Sequence, residues 1–255
     1  MGKKKERHGA TVTEEVVAAA QVPQTVMARI PSWEVWTKTV RPDAAAAARA
    51  ARAAGERLPR ASAAINQCVA LYRGDITRLR GDAVVNAANT TLLGGGGIDG
   101  AIHRAAGPQL LAECRTLGGC ATGAAKMTGG YNLPARHVVH TVGPVGENEP
   151  ALRSCYTSVL GLVRAHGLQT VAVCGISTGI YGYPVEKAAR VALDTVRRWL
   201  ERRENRVRVQ RIVFVTFTQH ETDVYNQLMP LYFPPSDLPL SRAAKKRLLT
   251  RASQH

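Results

Sequence analysis

Residues 84–107 read VVNAANTTLLGGGGIDGAIHRAAG, the most distinctive pattern in the chain. It begins as an apolar run with the length of a buried strand, passes through four consecutive glycines at 94–97, and continues into a helix predicted over 98–106. Four glycines in a row carry a large conformational-entropy cost. Backbone N–H groups in such a loop, together with a helix N-terminus, form a cradle for phosphate. A flexible linker is the alternative, and the position between a strand and a helix argues against it.

The same alternation of apolar runs and helical patterns extends over residues 67–235. Runs rich in Val and Ile predict buried strands at 68–72, 82–86, 137–142, 170–176 and 211–217. Apolar residues at helical spacing predict further helices at 108–116, 149–166 and 184–203. Strands that alternate with helices predict an α/β domain with a mainly parallel central sheet, whose ligands bind at the carboxyl ends of the strands.

The segments outside this domain are expected to differ in kind. We predict a disordered basic N-terminus at 1–25, a helical extension at 26–66 that packs on the domain, and a basic tail at 236–255. Within the extension, the Ala/Arg-rich stretch 43–57 favours a helix with Asp43 as its N-cap, and Trp33 and Trp36 supply apolar area. Of the formal net charge of +15, residues 1–66 carry +5, residues 236–255 carry +4 and the domain carries +6.

Composition excludes several classes of protein. No apolar run approaches the roughly 20 residues of a membrane helix. The five cysteines stand singly, without a CxxC pair, which fits neither a zinc module nor a disulfide scaffold, so we expect reduced thiols and no metal. The first residues are charged and no apolar segment of 7–15 residues follows them, so we expect no secretory signal and a cytoplasmic location. A nucleus is the alternative, because the stretch 242–251 is basic.

Two more loops follow predicted strands and carry polar groups or glycines. Asp75, after Gly74, either caps the next helix or accepts a hydrogen bond from an exocyclic amine such as that of adenine. The loop 175–184 reads GISTGIYGYP, so two glycine-rich loops would face a ligand with two phosphates and a sugar at each end. Asp99 and His103 are four residues apart and share a helical face. Asp99 is either a cap or a functional carboxylate, and His103 either a core residue or its partner.

The glycine stretch differs from two common phosphate-binding motifs. No Lys-Ser/Thr follows it, as in a P-loop, and Asp99 interrupts the spacing of GxGxxG. Together with GDIT at 74–77, HTVGP at 140–144, ISTGIYGYP at 176–184 and RIVFVTF at 211–217, it instead resembles the macrodomain family, specifically the MacroD type. The resemblance spans roughly 67–232. It implies a three-layer α/β/α macrodomain with a mainly parallel, mixed sheet that binds ADP-ribose without a metal or redox cofactor.

The resemblance also implies roles for individual residues. The catalytic residues would be Asn89, Asp99 and His103, which would surround the distal ribose. Asp75 and the backbone of Ile76 would bind adenine, and Phe217 would stack on it. The diphosphate would lie between two sets of residues, namely Gly94, Gly95, Gly96, Gly97 and Ile98 on one side and Ser177, Thr178, Gly179, Ile180 and Tyr181 on the other.

The activity implied by the resemblance is hydrolysis of ADP-ribosyl esters. The substrates would be proteins mono-ADP-ribosylated on Asp or Glu, and O-acetyl-ADP-ribose. A monomer is the default expectation, which does not come from the resemblance. We hypothesise that a water near the α-phosphate attacks the ester or the anomeric carbon. Asp99 would serve as the base or orient the ribose, with Asn89 positioning it and His103 supporting Asp99. Two alternatives are a non-catalytic reader of mono-ADP-ribosylated proteins and a scaffold whose basic ends bind RNA or poly(ADP-ribose).

Overall fold

The computed structural model describes residues 24–39, 43–53, 55 and 57–236, and within them seven strands form one sheet. The strands are β1 (Thr25–Val26), β2 (Val69–Arg73), β3 (Leu79–Ala88), β4 (Ala125–Gly129), β5 (Ala135–Val142), β6 (Thr170–Val173) and β7 (Arg211–Thr216). Their order is β2-β7-β6-β3-β5-β4, and β1 adds to the start of β3. All pairs are parallel except β4 with β5.

Helices flank this sheet. In the extension they are α1 (Trp33–Thr39), α2 (Ala44–Ala53) and α3 (Ala63–Asn66). In the domain they are α4 (Gly97–Ala106), α5 (Pro108–Thr116), α6 (Glu149–Ala165), α7 (Val185–Glu201), α8 (Arg203–Arg206) and α9 (Gln219–Tyr232). Helix α4 packs on α5 and β3, whereas α7 packs on α6 and α9. The predicted α/β fold with a mainly parallel, mixed sheet is confirmed. None of the described helices is both long and apolar enough to cross a membrane.

The valine-rich strands form the centre of the core. Residues of β3, β5, β6 and β7 that face either side of the sheet are almost fully buried, including Val84, Val85, Val138, Val139 and Val171. Such strands are covered on both faces, which is why they read as continuous apolar runs in the sequence.

Several element boundaries differ from the prediction. The strand expected at 170–176 ends at Val173, because the chain leaves the sheet before Gly175, and Phe217 lies one residue beyond β7. Thr25 belongs to β1, so it is not part of a disordered segment as predicted. The remaining predictions for residues 1–23 and for the tail from 237 onwards lie outside the described residues.

The extension contacts the domain near its C-terminal end. Trp33 is 1% exposed, and its Nε1 donates to the carbonyl oxygen of Phe233 at 2.8 Å. Asn66 Nδ2 donates to the carbonyl oxygen of Pro234 at 2.8 Å and to the buried Glu34 carboxylate at 3.3 Å. These bonds fasten α1 and α3 to residues 233 and 234.

Candidate active site

Two loops meet at the carboxyl ends of the parallel strands. The glycine loop, residues 94–97, follows β3 and opens α4, and the STG loop, residues 175–184, follows β6. A Cβ atom on Gly96 would lie 3.2 Å from Cδ1 of Ile180, so the two loops face each other across a narrow gap. Gly95, Gly96 and Gly97 are exposed, and no side chain caps the start of α4. The unsatisfied N–H groups of that helix start can therefore bind an anion.

The STG loop is held in shape by backbone contacts. The nitrogen of Tyr183 donates to the carbonyl oxygen of Ser177 at 2.9 Å, and Gly146 donates to Tyr181 at 2.7 Å. Ser177 is buried with a φ of 65°, and a Cβ at Gly143 would collide with its hydroxyl oxygen. Thr178 is half-buried and Gly179 is exposed on the same loop. The glycine in the HTVGP motif thus allows the neighbouring turn to approach the STG loop.

Asp99 lies in the first turn of α4 and is only 4% exposed. Its Oδ1 accepts a hydrogen bond from Asn86 Nδ2 at 2.7 Å, whereas its Oδ2 has no partner among the described residues. A Cβ on Gly95 would lie 3.1 Å from Oδ2, so this oxygen faces the glycine loop. Burial raises the pKa of Asp99, against the lowering effects of the Asn86 hydrogen bond and of the charge on His103.

His103 lies one helical turn after Asp99. Its Nε2 is 3.5 Å from Asp99 Oδ1, and its side chain is largely buried. A Cβ on Gly94 would lie 3.4 Å from the imidazole ring, so the ring also packs under the glycine loop. The structure therefore brings Asp99 and His103 together beneath the predicted cradle.

Asn89 has a different neighbour from the one expected. Its Nδ2 donates to the carbonyl oxygen of Gly94 at 2.8 Å, and its Oδ1 accepts from the nitrogen and hydroxyl of Thr91. A Cβ on Gly95 would lie 3.2 Å from that Nδ2, so Asn89 borders the same space as Asp99. Asn89 shapes the entry to the glycine loop, while the amide that hydrogen-bonds to Asp99 belongs to Asn86.

Asn86, His140 and Thr128 form a buried hydrogen-bond chain that sequence reasoning missed. Asn86 Nδ2 lies 3.1 Å from His140 Nδ1, and His140 Nε2 lies 2.9 Å from the Thr128 hydroxyl, which donates to the carbonyl oxygen of Gly129. An amide nitrogen only donates, so His140 accepts at Nδ1 and carries its proton on Nε2. Burial, assisted by the charge on His103, lowers the pKa of His140 to about 4.

One feature of the sequence indicates this hydrogen-bond chain. Asn86 and His140 are polar residues inside otherwise apolar strands, and they are direct neighbours in the pairing of β3 with β5. Buried polar side chains are nearly always hydrogen-bonded, so each of these two residues, in a strand predicted to be buried, indicated a polar partner without saying which.

Cys114 joins His103 and His140 below the site. Their potential metal-ligating atoms lie within 4.8 Å of one another. However, Thr128 already occupies His140 Nε2, and burial, with the negative charges of Glu113 and Asp99, raises the pKa of the Cys114 thiol to about 11. A protonated thiol and an occupied imidazole nitrogen are poor ligands. That the domain needs no metal stays a prediction.

The predicted adenine end lies beside β2 and β7. Asp75 caps the short 3-10 helix Ile76–Arg78, because its Oδ1 accepts from the nitrogen and hydroxyl of Thr77. Its side chain is exposed, whereas that of Ile76 is buried. Phe217 is 75% exposed directly after β7, and the nitrogen of Gly74 donates to Thr216, so the two strand ends adjoin. The capping interpretation of Asp75 is thus confirmed, and a second carboxylate oxygen remains for an amine.

Comparison with known proteins identifies the family of this chain. A model of the Macro domain matches residues 85–192. The chain is 52% identical over 170 residues to the Macro domain-containing protein CT2219 of Chlorobaculum tepidum, covering 64% of this chain and 96% of that protein. The chain belongs to the macrodomain family.

This macrodomain is also similar to larger proteins and to solved structures. It is 52% identical over 176 residues to the ADP-ribose glycohydrolase MACROD1 of Rattus norvegicus, covering 67% of each chain. It spans 54% of the length of the Bos taurus MACROD1. A crystal structure of the Trypanosoma brucei macrodomain in complex with ADP-ribose is 51% identical, with a TM-score of 0.63, and the match covers 65% of this chain and 71% of that one.

Proposed function

We propose that this macrodomain binds ADP-ribose and hydrolyses ADP-ribosyl esters. It removes mono-ADP-ribose from Asp and Glu side chains of modified proteins and deacetylates O-acetyl-ADP-ribose. The names of its relatives and the ADP-ribose complex of the similar Trypanosoma brucei macrodomain support the ligand. We propose that one chain is sufficient for this activity, because the glycine loop, the STG loop and Asp99 all belong to it.

The observation that best supports hydrolysis is the hydrogen bonding and burial of the Asp99 carboxylate. One oxygen is held by Asn86, and the other is buried, without a partner among the described groups, and turned towards the glycine loop. A carboxylate close to a bound diphosphate weakens binding through like-charge repulsion, so binding alone does not explain why this group is buried here. A hydrolase needs a proton acceptor at that position.

The geometry supports the following reaction. The glycine loop, the STG loop and the start of α4 hold the diphosphate between their backbone N–H groups. A water beside Asp99 Oδ2 attacks the ester carbonyl or the anomeric carbon, and its proton passes to Asp99 and then to the departing oxygen. Burial raises the pKa of Asp99, which makes the carboxylate a stronger base than an exposed one. His103 and Asn86 keep the carboxylate oriented. Phe217 and Asp75 bind the adenine.

The test compares Asp99→Ala and Asp99→Asn with the wild type and with Asp223→Asn, a carboxylate change outside the site. Release of ADP-ribose from a glutamate-linked, automodified protein should fall about 10²–10⁴-fold in both Asp99 variants. ADP-ribose titrated by calorimetry should bind them at least as tightly as the wild type, because a repulsive charge is gone. If the wild type bound ADP-ribose but released none from the modified protein, the domain would be a non-catalytic reader. If the release rate fell less than tenfold in the Asp99 variants, Asp99 would not be the catalytic base.

A further inference from the structure

A second polar surface lies at the other edge of the sheet, where the parallel strands begin. Six exposed arginines define this arginine face: Arg80, Arg136, Arg164, Arg202, Arg203 and Arg208. The first two lie at the starts of β3 and β5, the third in the last turn of α6, and the others around α8, just before β7. Backbone bonds from residues 210 and 211 to the carbonyl oxygen of Gln169 join the α8 segment to the segment after α6.

Charge is distributed unequally between the two edges. Residues 67–235 contain 18 Lys/Arg and 12 Asp/Glu. With the C-terminal end of α7 included, the strand-start edge holds ten of the cations but only three of the acids, Asp82, Glu201 and Glu204; the cations are the six above with Arg197, Arg198, Arg206 and Arg211. The rest of the domain has eight cations and nine acids. The positive excess of the domain therefore lies at the edge opposite the glycine loop.

Most of this charge is not neutralised within the described part of the chain. Arg136 pairs with Asp82, while Arg206 donates to the carbonyl oxygen of Leu200. The side chains of Arg164, Arg202, Arg203 and Arg208 make no hydrogen bond or ion pair with any described residue. Helix dipoles favour cations at the C-terminal ends of helices, which accounts for Arg164 in the last turn of α6. They do not account for Arg203, because it lies at the start of α8.

The composition of the face indicates its partner. All six exposed cations are arginines, whose planar guanidinium binds phosphate with two parallel hydrogen bonds. In the segment 202–211 the one large apolar side chain exposed is that of Val207, so little is available to enter a lipid layer or to stack on unpaired bases. We propose that the arginine face binds the phosphate backbone of double-stranded nucleic acid, without reading its sequence, while the opposite edge of the sheet remains open to ADP-ribose.

The test uses the full chain and a fluorescein-labelled 20-base-pair DNA duplex of mixed sequence, followed by anisotropy at 50, 100 and 200 mM NaCl. The variant Arg202→Glu/Arg203→Glu/Arg208→Glu is compared with Arg115→Glu/Lys187→Glu/Arg190→Glu, which changes the net charge equally on α5 and at the start of α7. Loss of three phosphate contacts should lower the salt slope of log K by about 2.7 and weaken binding at least tenfold at 100 mM salt. The control should weaken binding less than threefold, with the wild-type slope. Both variants keep the basic termini, so their contribution cancels.

Four outcomes would overturn the proposal. Equal losses in both triple variants would assign binding to net charge or to the termini, and no loss in either would exclude the face. If saturating ADP-ribose displaced the duplex, the duplex would bind at the glycine loop and not at the arginine face. Arginine-dependent binding of phosphatidylserine vesicles without duplex binding would make the partner a lipid surface. Two controls accompany these measurements. An ADP-ribose affinity equal to that of the wild type shows that a variant is folded. The variant Arg202→Gln/Arg203→Gln/Arg208→Gln removes the three positive charges without adding negative ones.

Discussion

One amide group determines how the Asp99 carboxylate is presented. Asn86 Nδ2 donates one hydrogen to Asp99 and the other to His140, and Thr128 holds the far side of that imidazole. These three side chains stand on the adjacent strands β3, β5 and β4. With Nε2 of His140 fixed by Thr128, its Nδ1 stays an acceptor and the amide cannot turn over. Asp99 Oδ2 is thereby left for chemistry.

Thr128→Val and Thr128→Ser separate the hydroxyl from the shape of this side chain. The valine variant loses one hydrogen bond to His140, worth about 1 kcal/mol, so turnover should fall roughly five- to tenfold. We expect the loss in kcat, with KM for the ADP-ribosyl ester unchanged, and near wild-type kcat for the serine variant. ¹⁵N NMR should show the Nε2–H tautomer of His140 in the wild type and in Thr128→Ser. Equal kcat values in the two variants would contradict this positioning role.

The glycine loop is the element on which binding and catalysis meet. Gly95 has no unusual backbone angle, yet a methyl group there would lie 3.1 Å from Asp99 Oδ2 and 3.2 Å from Asn89 Nδ2. The requirement for glycine at this position is therefore one of space and not of conformation.

Gly95→Ala should fill the space that the attacking water and the distal ribose need. We expect kcat/KM to fall at least tenfold, which corresponds to about 1.4 kcal/mol, with Tm close to the wild type. Gly161→Ala is the matched control, because Gly161 lies on α6 with no heavy atom near the added carbon. It should raise stability by up to about 1 kcal/mol and leave kcat/KM unchanged. Full activity in Gly95→Ala would show that the reaction does not use this space.

Strands buried on both faces and the strongly amphipathic helices α6 and α7 were predictable, whereas the edge strand β4 and helix α9 were not. Strands β3, β5 and β7 read as apolar runs, whereas β4 is an edge strand of sequence AKMTG with little apolar content. Helix α9 was missed, although Thr218 and Glu221 form a capping box at its start. Asp99 and His103 could be paired by helical spacing. Asn86 and His140 could not be paired by any local rule, because 54 residues separate them.

At the scale of the whole molecule, burial of a neutral His140 makes stability depend on pH. Burial first, and the charge on His103 second, lower the pKa of His140 from 6.5 to about 4. The unfolded chain therefore binds this proton more tightly than the folded one. Above pH 6.5 the imidazole is neutral in both states and His140 does not affect stability. As the pH drops from 6.5 towards 4, protonation of the unfolded chain lowers the free energy of unfolding, by about 3 kcal/mol in all.

Urea unfolding of the wild type and of His140→Gln between pH 7 and pH 4 measures this effect. The wild type should lose stability over that range more steeply than the variant, which has no titrating group at this position. The raised pKa of Asp99 acts in the opposite sense, because protonation favours its folded form, and it is common to both proteins. Parallel pH curves would show that His140 is not the group responsible.

The pairing of β2 with β7 has a consequence for how the chain is made. β2 is the first strand of the domain, its one partner among the described strands is the last strand, and Trp33 is bonded to Phe233, 200 residues further on. A ribosome adding about 5–20 residues per second needs roughly 7–30 s to synthesise the chain between Arg73 and Thr216. During that interval α1 and α3 can pack on β2, but the hydrogen-bonding edge of β2 has no native strand beside it and the Trp33 indole lacks its acceptor. An unpaired strand edge on a nascent chain is open to wrong pairing until β7 emerges.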